Sequence, residues 1–185
     1  MKEKYRRRTL LSVLEEPVIV IPDELERAFR AHHSLVFRTA YRITANAGDA
    51  EDVLQTVFLR LLRRDRNADP LENPESYLRR AAINAALDVI RSRQADQTVP
   101  LPEEASGLMR SAPSDVSGLR HALTRALAEL KPRPAEIFAL RFLEGLSNRQ
   151  IAQTLGISQV LVAVIVHRTR QQLRKELLPY LGDRS

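Results

Sequence analysis

The spacing of apolar residues predicts helices along nearly the whole chain. After a helix-start signal at Pro22-Asp23, apolar residues recur every three or four positions from Leu25 to Tyr41. A break at 47–49 precedes a second helix, whose apolar positions follow the order i, i+1, i+4, i+5, i+8, i+9: Val53, Leu54, Val57, Phe58, Leu61 and Leu62. Such a stripe predicts a helix that buries one face and exposes the other.

A third helix and a change of composition divide the chain. Asn73-Pro74 opens this helix, which we expect to end near Arg93. The residues that follow are rich in Pro, Gly, Ser and acids, which is typical of a linker, and a second helical module is predicted from about Leu119 to Leu178. The pattern therefore predicts an all-α fold of two small helical domains joined by a flexible linker. The predicted divisions are an N-terminal extension, a first domain, a linker and a second domain, at 1–22, 23–94, 95–118 and 119–180.

The sharpest local pattern lies in the second domain, between Gly145 and Ser158. Ser147 and Gln150 have the spacing of a capping box, in which the serine hydroxyl accepts from the N3 amide and the glutamine reaches back to the cap. Gly156 is expected to make a turn, and Ser158 is expected to cap the next helix. This order predicts a helix-turn-helix whose second helix enters the major groove of DNA. A plain helical hairpin that binds nothing is the alternative.

Charge favours a polyanionic partner. The chain has 29 Lys and Arg against 23 Asp and Glu, a formal net charge of +6, and basic side chains release counterions when they neutralise nucleic-acid phosphates. A solvated basic surface explains the net charge alone equally well. The second domain, however, holds ten basic and four acidic residues: Arg120, Arg125, Lys131, Arg133, Arg141, Arg149, Arg168, Arg170, Arg174 and Lys175 against Glu129, Glu136, Glu144 and Glu176. Cations concentrated beside a helix-turn-helix are suited to phosphate contacts.

Several classes of function are disfavoured by what the sequence lacks. It has no cysteine, so it has no disulfide, no thiolate nucleophile and no Cys-based zinc site. Its four histidines, His32, His33, His121 and His167, lack ligand spacing with other donors, and no Gly-rich phosphate loop is present. No apolar run approaches the roughly 20 residues that span a bilayer, and the basic start lacks a secretory signal. We therefore expect a cytoplasmic protein without cofactor, metal, membrane insertion or enzymatic activity.

Two further motifs lie in the first domain. One runs Asp49-Ala-Glu-Asp-Val-Leu-Gln-Thr-Val-Phe-Leu-Arg-Leu-Leu62, and the other runs from Pro74-Glu-Ser-Tyr-Leu to Leu-Asp-Val-Ile-Arg91. Together with the helix-turn-helix, they resemble the extracytoplasmic-function (ECF) sigma factors from sigma region 2 through region 4, over about Glu24 to Leu178. Members of this family carry bacterial RNA polymerase to promoters and help to open the −10 region. The resemblance implies the same function for this chain.

By this resemblance, the 49–62 helix docks on the clamp helices of the largest polymerase subunits. Asp52, Gln55 and Thr56 occupy its polar contact positions. An amphipathic helix suits this role, because one face is buried in its own domain while the other is offered to a partner helix. The acidic residues at its start also favour a helix N-terminus through the dipole. The implied partners are core RNA polymerase and promoter DNA, with an anti-sigma factor as a further candidate.

The resemblance assigns capture of the −10 non-template strand to the 77–93 helix. Such capture needs a ring for stacking, amides for base edges and cations for the backbone. Tyr77 supplies the ring, where the family more often has Trp, and Asn84 matches the position that lines the pocket for a flipped base. The cations of this helix are Arg79, Arg80, Arg91 and Arg93. Asp88 is expected to pair with a neighbouring Arg, and the 65–73 loop corresponds to the family's specificity loop.

For the −35 element, the resemblance implies contacts by Arg149, Gln159, His167, Arg168 and Arg170. The recognition helix departs from the family pattern, since apolar residues stand where base-reading polar side chains are typical: Leu161, Ala163, Val164 and Ile165. Helical spacing turns Val162, Val166 and Leu173 toward the core and these four outward. Apolar side chains can contact thymine methyls but cannot bond guanine or adenine bidentately. We therefore expect weak or shape-based −35 recognition, and a helix covered by the first domain, an anti-sigma factor or another chain when it is not on DNA.

Two other functions remain open from the sequence. One is a helix-turn-helix regulator that binds duplex DNA without polymerase, which leaves the 49–91 motifs without a role. The other is a sigma-like protein-interaction module that sequesters partners, which the apolar recognition helix favours. In vitro transcription with core polymerase distinguishes both from a sigma factor.

Overall fold

A computed structural model of the chain describes residues 23–64, 71–98 and 115–180. The predicted N-terminal extension, most of the 65–73 loop and much of the predicted linker lie outside these residues. All regular structure in the described part is helical, which confirms the predicted all-α fold. Its seven α-helices are α1 (Asp23–Thr44), α2 (Ala47–Leu62), α3 (Pro74–Thr98), α4 (Asp115–Glu129), α5 (Pro132–Phe138), α6 (Asn148–Leu155) and α7 (Gln159–Leu177). A π-helical turn, Ala139–Leu143, continues α5, and a 3-10 turn, Leu178–Tyr180, follows α7.

The first three helices form an N-terminal bundle. Asn46 caps α2, because its side chain accepts a hydrogen bond of 3.0 Å from the Asp49 amide. The predicted break at 47–49 therefore lies at residues 45–46 instead, and Ala47 is already helical. The predicted apolar stripe of α2 faces the bundle core, except that its last member, Leu62, is exposed. The fully buried side chains of the bundle include Val36, Ile43, Val53, Val57, Leu78, Ile83 and Leu87.

The helices on either side of the predicted linker are longer than expected. Helix α3 continues from the predicted end near Arg93 to Thr98. No Gly or Pro interrupts this stretch, and the first helix breaker is Pro100. Helix α4 begins at Asp115, before the predicted start at Leu119, and it accommodates Gly118 within its first turns.

The last four helices form a C-terminal unit that packs against the bundle. Pro132 stands at the first position of α5, where its missing N–H costs nothing. Helix α7 contacts α4, α5 and α6 around buried Leu140, Ile151 and Val162. Helix α3 lies against α4 and α5, and the buried apolar residues of the two units form one continuous cluster. The two predicted domains are therefore docked on each other in this structure.

Gly156 offers a stability test of the turn between α6 and α7. Its backbone is left-handed, with a φ of 63°, and a Cβ there would meet no atom within 4 Å. The cost of Gly156→Ala is therefore backbone strain alone, about 1 to 2 kcal/mol. We expect the thermal midpoint to fall by about 2 to 8 °C in a circular dichroism melt.

Gly156→Asn is the matched control, because asparagine tolerates the left-handed region better than alanine does. We expect it to lose clearly less stability than Gly156→Ala. Equal losses from the two substitutions would contradict the assignment of the effect to backbone conformation.

Candidate nucleic-acid interface

The outward face of α2 combines polar and apolar side chains. Asp52 and Gln55 are exposed and Thr56 is half-buried. Leu59 lies on the same face, one turn after Gln55 and two turns after Asp52, and is 48% exposed. Leu62, at the end of α2, is also exposed. Helices that dock in grooves use such spacing, with anchors at i, i+3 or i+4, and i+7. The sequence prediction missed Leu59 as an outward anchor and assigned Leu62 to the inner stripe.

The middle of α3 contacts the C-terminal unit and is only partly open to solvent. Nε of Arg80 lies 2.9 Å from Oε1 of Glu136, and an Arg80 terminal nitrogen reaches the Thr154 carbonyl at 3.5 Å. The Asn84 amide donates to the same Glu136 oxygen at 3.5 Å. Two of the predicted −10 residues therefore share one carboxylate from the other unit. Tyr77 is 39% exposed and lines a polar cleft between α3 and α6.

The distal part of α3 holds the two remaining predicted −10 cations in ion pairs. Arg91 lies 3.4 Å from Asp88, which confirms the local pair expected for that carboxylate, and it also donates to the Leu130 carbonyl at 3.3 Å. Arg93 lies 2.6 Å from the carboxylate of Asp49, at the start of α2. Asp49 therefore joins α2 to α3 in addition to occupying the first turn of its helix.

The helix-turn-helix has the predicted local geometry. The Ser147 hydroxyl accepts from the Gln150 amide at 3.2 Å, and the Ser147 amide donates to the Gln150 side chain at 2.8 Å, which completes the capping box. Gly156 makes the turn in the left-handed conformation. The Ser158 hydroxyl accepts from the Leu161 amide at 3.2 Å and so caps α7. The capping box, the turn and the cap each follow from residues no more than a few positions apart.

The exposed face of α7 is apolar at its start and basic further along. Val160 is 74% exposed, and Leu161, Ala163 and Val164 are also exposed. Ile165 was expected to point outward with them, but it is half-buried and packs on the core. The predicted −35 contacts, Arg149, Gln159, His167, Arg168 and Arg170, are all exposed.

Buried Val162 and Leu173 confirm the predicted inner face of α7, and Val166 is half-buried beside them. Since the first turn of the helix remains exposed, the N-terminal bundle does not cover its apolar residues. The sequence predicted that the first domain, an anti-sigma factor or another chain covers this helix. In this structure the first domain does not cover it.

Two acidic residues at the junction of the units were not predicted as functional. Glu136 lies on α5 and Glu144 follows the π-helical turn, and their side chains are only 6% and 4% exposed. Arg42 and Arg79 of the bundle lie 3.0 and 3.2 Å from Glu144. The available sequence signal was weak: each is an acid in a stretch of apolar residues within a basic domain.

The part of the chain that the structure describes shows neither a cluster of metal-ligating side chains nor a single helix suited to span a membrane. No group of three or more His, Asp or Glu side chains there is arranged to hold a metal ion. None of its helices, taken singly, has the length and apolarity needed to cross a membrane.

Comparison with known proteins identifies both units. A family model described as Sigma-70 region 2 matches residues 28–95, and one described as Sigma-70, region 4 matches residues 120–173. The ECF RNA polymerase sigma factor SigE of Mycolicibacterium smegmatis is 36% identical over 159 residues, which are 83% of this chain and 62% of that protein. The RNA polymerase sigma-E factor of Streptomyces coelicolor is 30% identical over 161 residues, covering 84% of this chain and 86% of the relative.

A solved structure supports the fold. The sigma factor RpoE of Bartonella quintana, determined in complex with the anti-sigma factor NepR, aligns with a TM-score of 0.51. The alignment covers 87% of this chain and 99% of that one at 18% identity.

A helical bundle followed by a helix-turn-helix unit, each matched by its own sigma-70 model, defines a two-domain transcription initiation factor of the sigma-70 class. More closely, the chain belongs to the extracytoplasmic-function (ECF) family of RNA polymerase sigma factors. It acts with RNA polymerase in promoter-directed initiation of transcription, and its family consists of non-enzymatic initiation factors. This confirms the function that the motifs predicted.

Proposed function

We propose that three helices divide the work of promoter recognition, with α2 binding core polymerase, α3 the −10 strand and α7 the −35 duplex. The supporting observation is that each helix presents, on one side, the residue types that its partner requires. Helix α2 offers a mixed polar and apolar face, α3 a ring with an amide and cations, and α7 an exposed face flanked by arginines. The proposed sites lie in the predicted domains 23–94 and 119–180.

The α2 contact is proposed for the clamp helices of the largest polymerase subunits. Asp52, Gln55 and Thr56 would supply its polar contacts, and Leu59 and Leu62 its apolar anchors. A partner helix can bury apolar side chains that lie exposed among polar ones, and their exposure costs the free chain little stability.

The α3 contact is proposed for the melted non-template strand of the −10 element. Tyr77 would stack on a base and Asn84 would bond the edge of a flipped base. Arg80, Arg91 and Arg93 would contact the phosphates. In the structure these arginines are paired with carboxylates or a carbonyl, so DNA must replace at least the partners that come from the C-terminal domain.

The α7 contact is proposed for the −35 duplex, with phosphates bound by Arg149, His167, Arg168 and Arg170. Gln159, at the first position of α7, and its apolar neighbours would then face the base edges, since the N-terminal residues of a recognition helix enter the major groove. Because a thymine methyl is the one apolar group on those edges, we propose that Leu161 and Val164 read thymine.

Run-off transcription is the experiment that tests the whole proposal. Purified chain and core RNA polymerase are incubated with genomic promoter fragments, and specific transcripts that require both components are expected. Specific duplex binding without polymerase, together with no transcript, would favour the helix-turn-helix regulator instead. Core binding without transcripts from any fragment would favour the interaction module.

Further partners follow from the same proposal. The Bartonella relative is solved in complex with an anti-sigma factor, and we propose that this chain is likewise held by one until transcription is induced. The proposed place of action is the cytoplasm, where bacterial polymerase and chromosome are found.

The proposed contact with thymine methyl groups can be tested by removing one methyl group at a time. Thymines in the −35 element of a transcribed promoter are replaced one at a time by deoxyuracil, which removes only the methyl. Loss of one buried methyl costs about 0.8 kcal/mol, so we expect holoenzyme affinity in a filter-binding assay to fall about three- to fourfold at contacted positions. In the Leu161→Ala chain the replacement should have little effect at the positions that Leu161 contacts.

Arg168→Ala is the control for this experiment, because a phosphate contact does not distinguish thymine from deoxyuracil. It should weaken binding to both probes by the same factor. Deoxyuracil effects of equal size in the unaltered chain and in Leu161→Ala would contradict thymine reading by this residue.

A further inference from the structure

The outward side of α7 changes from apolar to basic along the helix. Val160 and Val164 lie one turn apart on this side and are 74% and 41% exposed, and Leu161 beside them is 46% exposed. Helical spacing carries the same side through five further positions, all of them exposed. These residues together form the α7 outer face: Val160, Leu161, Val164, His167, Arg168, Gln171, Arg174 and Lys175.

Acidic residues are absent from the part of the sequence that carries this face. From 145 to 175 the chain has five Arg and Lys residues and no Asp or Glu. The nearest acids along the chain are engaged, since Glu144 pairs with two arginines of the bundle and Glu176 accepts from Gln172 at 3.2 Å. Within the described residues, no cation of the α7 outer face takes part in an ion pair. The chain therefore leaves the positive charge of this face without a counter-charge of its own.

An anionic bilayer has the chemistry that this combination of groups fits. Interfacial helices place apolar side chains at the boundary between headgroups and acyl chains, while Lys and Arg bind the anionic headgroups. Val160, in the first turn of α7, projects into solvent, so it can enter such a boundary without rearrangement of its neighbours. The basic positions follow on the same side, where long side chains reach lipid phosphates from a helix that lies along the surface.

A second copy of this chain fits the α7 outer face less well. In a two-fold pair each copy presents the same face to the other, so Arg168 and Lys175 would approach their own symmetry mates with no carboxylate nearby. Three exposed apolar side chains also fall far short of the roughly 1,200 Å² of buried surface that a stable protein interface requires. Charge and area therefore both favour a lipid surface over self-association.

We propose that the α7 outer face binds the surface of an anionic phospholipid bilayer. Val160, Leu161 and Val164 enter the headgroup region, and the basic side chains that follow bind lipid phosphates. The association is peripheral, because the inner side of α7 is packed on the domain core. Since Leu161 and Val164 are also proposed to contact thymine methyls, the bilayer and the −35 duplex compete for one face. Lipid then covers the apolar residues when the chain is not on DNA.

Co-sedimentation with vesicles tests the proposal on the free, full-length chain. Vesicles of equal parts phosphatidylglycerol and phosphatidylcholine should bind the unaltered chain. Vesicles of phosphatidylcholine alone should not, because they lack the net negative charge that attracts the cations. Higher salt should weaken the binding, since it screens the headgroup charge. Equal binding to both kinds of vesicle, or binding to neither, would overturn the proposal.

Two double variants separate the apolar contribution from the basic one. Val160→Gln with Val164→Gln should lower the partition coefficient on anionic vesicles at least about tenfold, because both positions lose apolar area that the lipid buries. Arg168→Gln with Lys175→Gln should lower it about 25-fold, since each cation near an anionic surface contributes about a factor of five. Melting curves by circular dichroism establish that both variants are folded.

The matched controls carry the same kinds of substitution at exposed positions of α1. Phe29→Gln with Tyr41→Gln removes two exposed aromatic side chains, and Arg30→Gln with Arg38→Gln removes two exposed cations. Both controls should bind anionic vesicles nearly as well as the unaltered chain. Losses as large as those of the α7 variants would overturn the proposal, because overall hydrophobicity or net charge would then explain the binding.

A label at one position shows where the chain meets the lipid. The sequence contains no cysteine, so Val160→Cys can be labelled alone with nitrobenzoxadiazole, whose emission shifts to the blue in an apolar environment. We expect this shift on anionic vesicles, and no shift from the same label on Tyr41→Cys. Glycerol phosphate, which offers the headgroup phosphate without acyl chains, should not produce it. A Val160→Cys label that does not shift on vesicles, or that shifts with glycerol phosphate, would overturn the proposal.

The same variants identify the other possible occupants of this face. Sedimentation velocity without lipid shows any self-association, and an oligomer that Val160→Gln with Val164→Gln dissociates would assign the face to a second copy. If the unaltered chain does not bind anionic vesicles while holoenzyme with this double variant loses −35 binding, the face belongs to DNA alone. Either result would overturn lipid binding. Vesicle binding is measured without DNA, so it stands or fails independently of the −35 function proposed for α7.

Discussion

A chain carrying Leu59→Glu is expected to bind core RNA polymerase at least about tenfold more weakly than the unaltered chain. Leu59 is 48% exposed on the outward face of α2, so a partner helix that covers it removes about half of its surface from water. That burial contributes on the order of 1 kcal/mol, and a glutamate there adds the larger cost of desolvating an unpaired carboxylate. The two effects act in the same direction, and together they exceed the roughly 1.4 kcal/mol of a tenfold change. Fluorescence anisotropy of labelled chain titrated with core enzyme measures the loss.

The same substitution at Val160 is the matched control. Val160 is an exposed apolar residue on α7, and Val160→Glu should leave core binding unchanged while it weakens the −35 contact. Substitutions at exposed positions usually change the free energy of unfolding by less than about 0.5 kcal/mol, so both chains should stay folded. Core affinity unchanged by Leu59→Glu would mean that polymerase does not cover this face of α2.

Features set by near neighbours in sequence were predictable. The capping box of Ser147 and Gln150, the turn at Gly156 and the cap at Ser158 all depend on bonds that span three to five residues, and the structure has each of them. The pair of Asp88 with Arg91 is a bond of the same kind, three positions apart on one helix. Helical geometry alone brings such groups together.

Features set by the docking of the two domains were not predictable. Glu136 meets Arg80 from 56 positions away, and Glu144 meets Arg42 from 102. Nothing in the local pattern around these acids says which cations they will face, because that depends on how α3 packs on α5. The sequence prediction therefore treated the −10 residues as open to DNA, whereas the structure gives Arg80, Asn84 and Arg91 partners in the other domain.

Helix ends account for the smaller errors. The apolar stripe of α2 predicted Leu62 as buried, but the helix ends there and its last turn projects beyond the core. Ile165 of α7 was expected outside and is half-buried, since it lies beside the inner residue Val162 on the next turn. A strict periodic pattern assigns two faces, whereas a packed helix also has borders between them.

The largest effect on DNA is expected from Tyr77→Ala, which should reduce open-complex formation by holoenzyme about 5- to 150-fold. Stacking of one base on an aromatic ring is worth about 1 to 3 kcal/mol by alanine substitution, and no other aromatic side chain lies on α3. Since Tyr77 is 39% exposed, its truncation leaves most of the bundle core intact, including Leu78 beside it, which is fully buried. Permanganate reactivity of −10 thymines measures the melted fraction directly.

Tyr77→Phe and Tyr77→Trp are the controls that make this result specific to stacking. Both keep a flat ring, so both should melt the promoter within about twofold of the unaltered chain, while core binding stays unchanged in all three variants. A loss in Tyr77→Phe equal to that in Tyr77→Ala would assign the effect to the hydroxyl instead. Full melting by Tyr77→Ala would mean that the stacking ring does not lie on α3, and α3 would then lose its assignment to single-strand capture. Asn84 and the arginines can hold a strand in place, but they cannot replace the stacking that a base loses when it leaves the duplex.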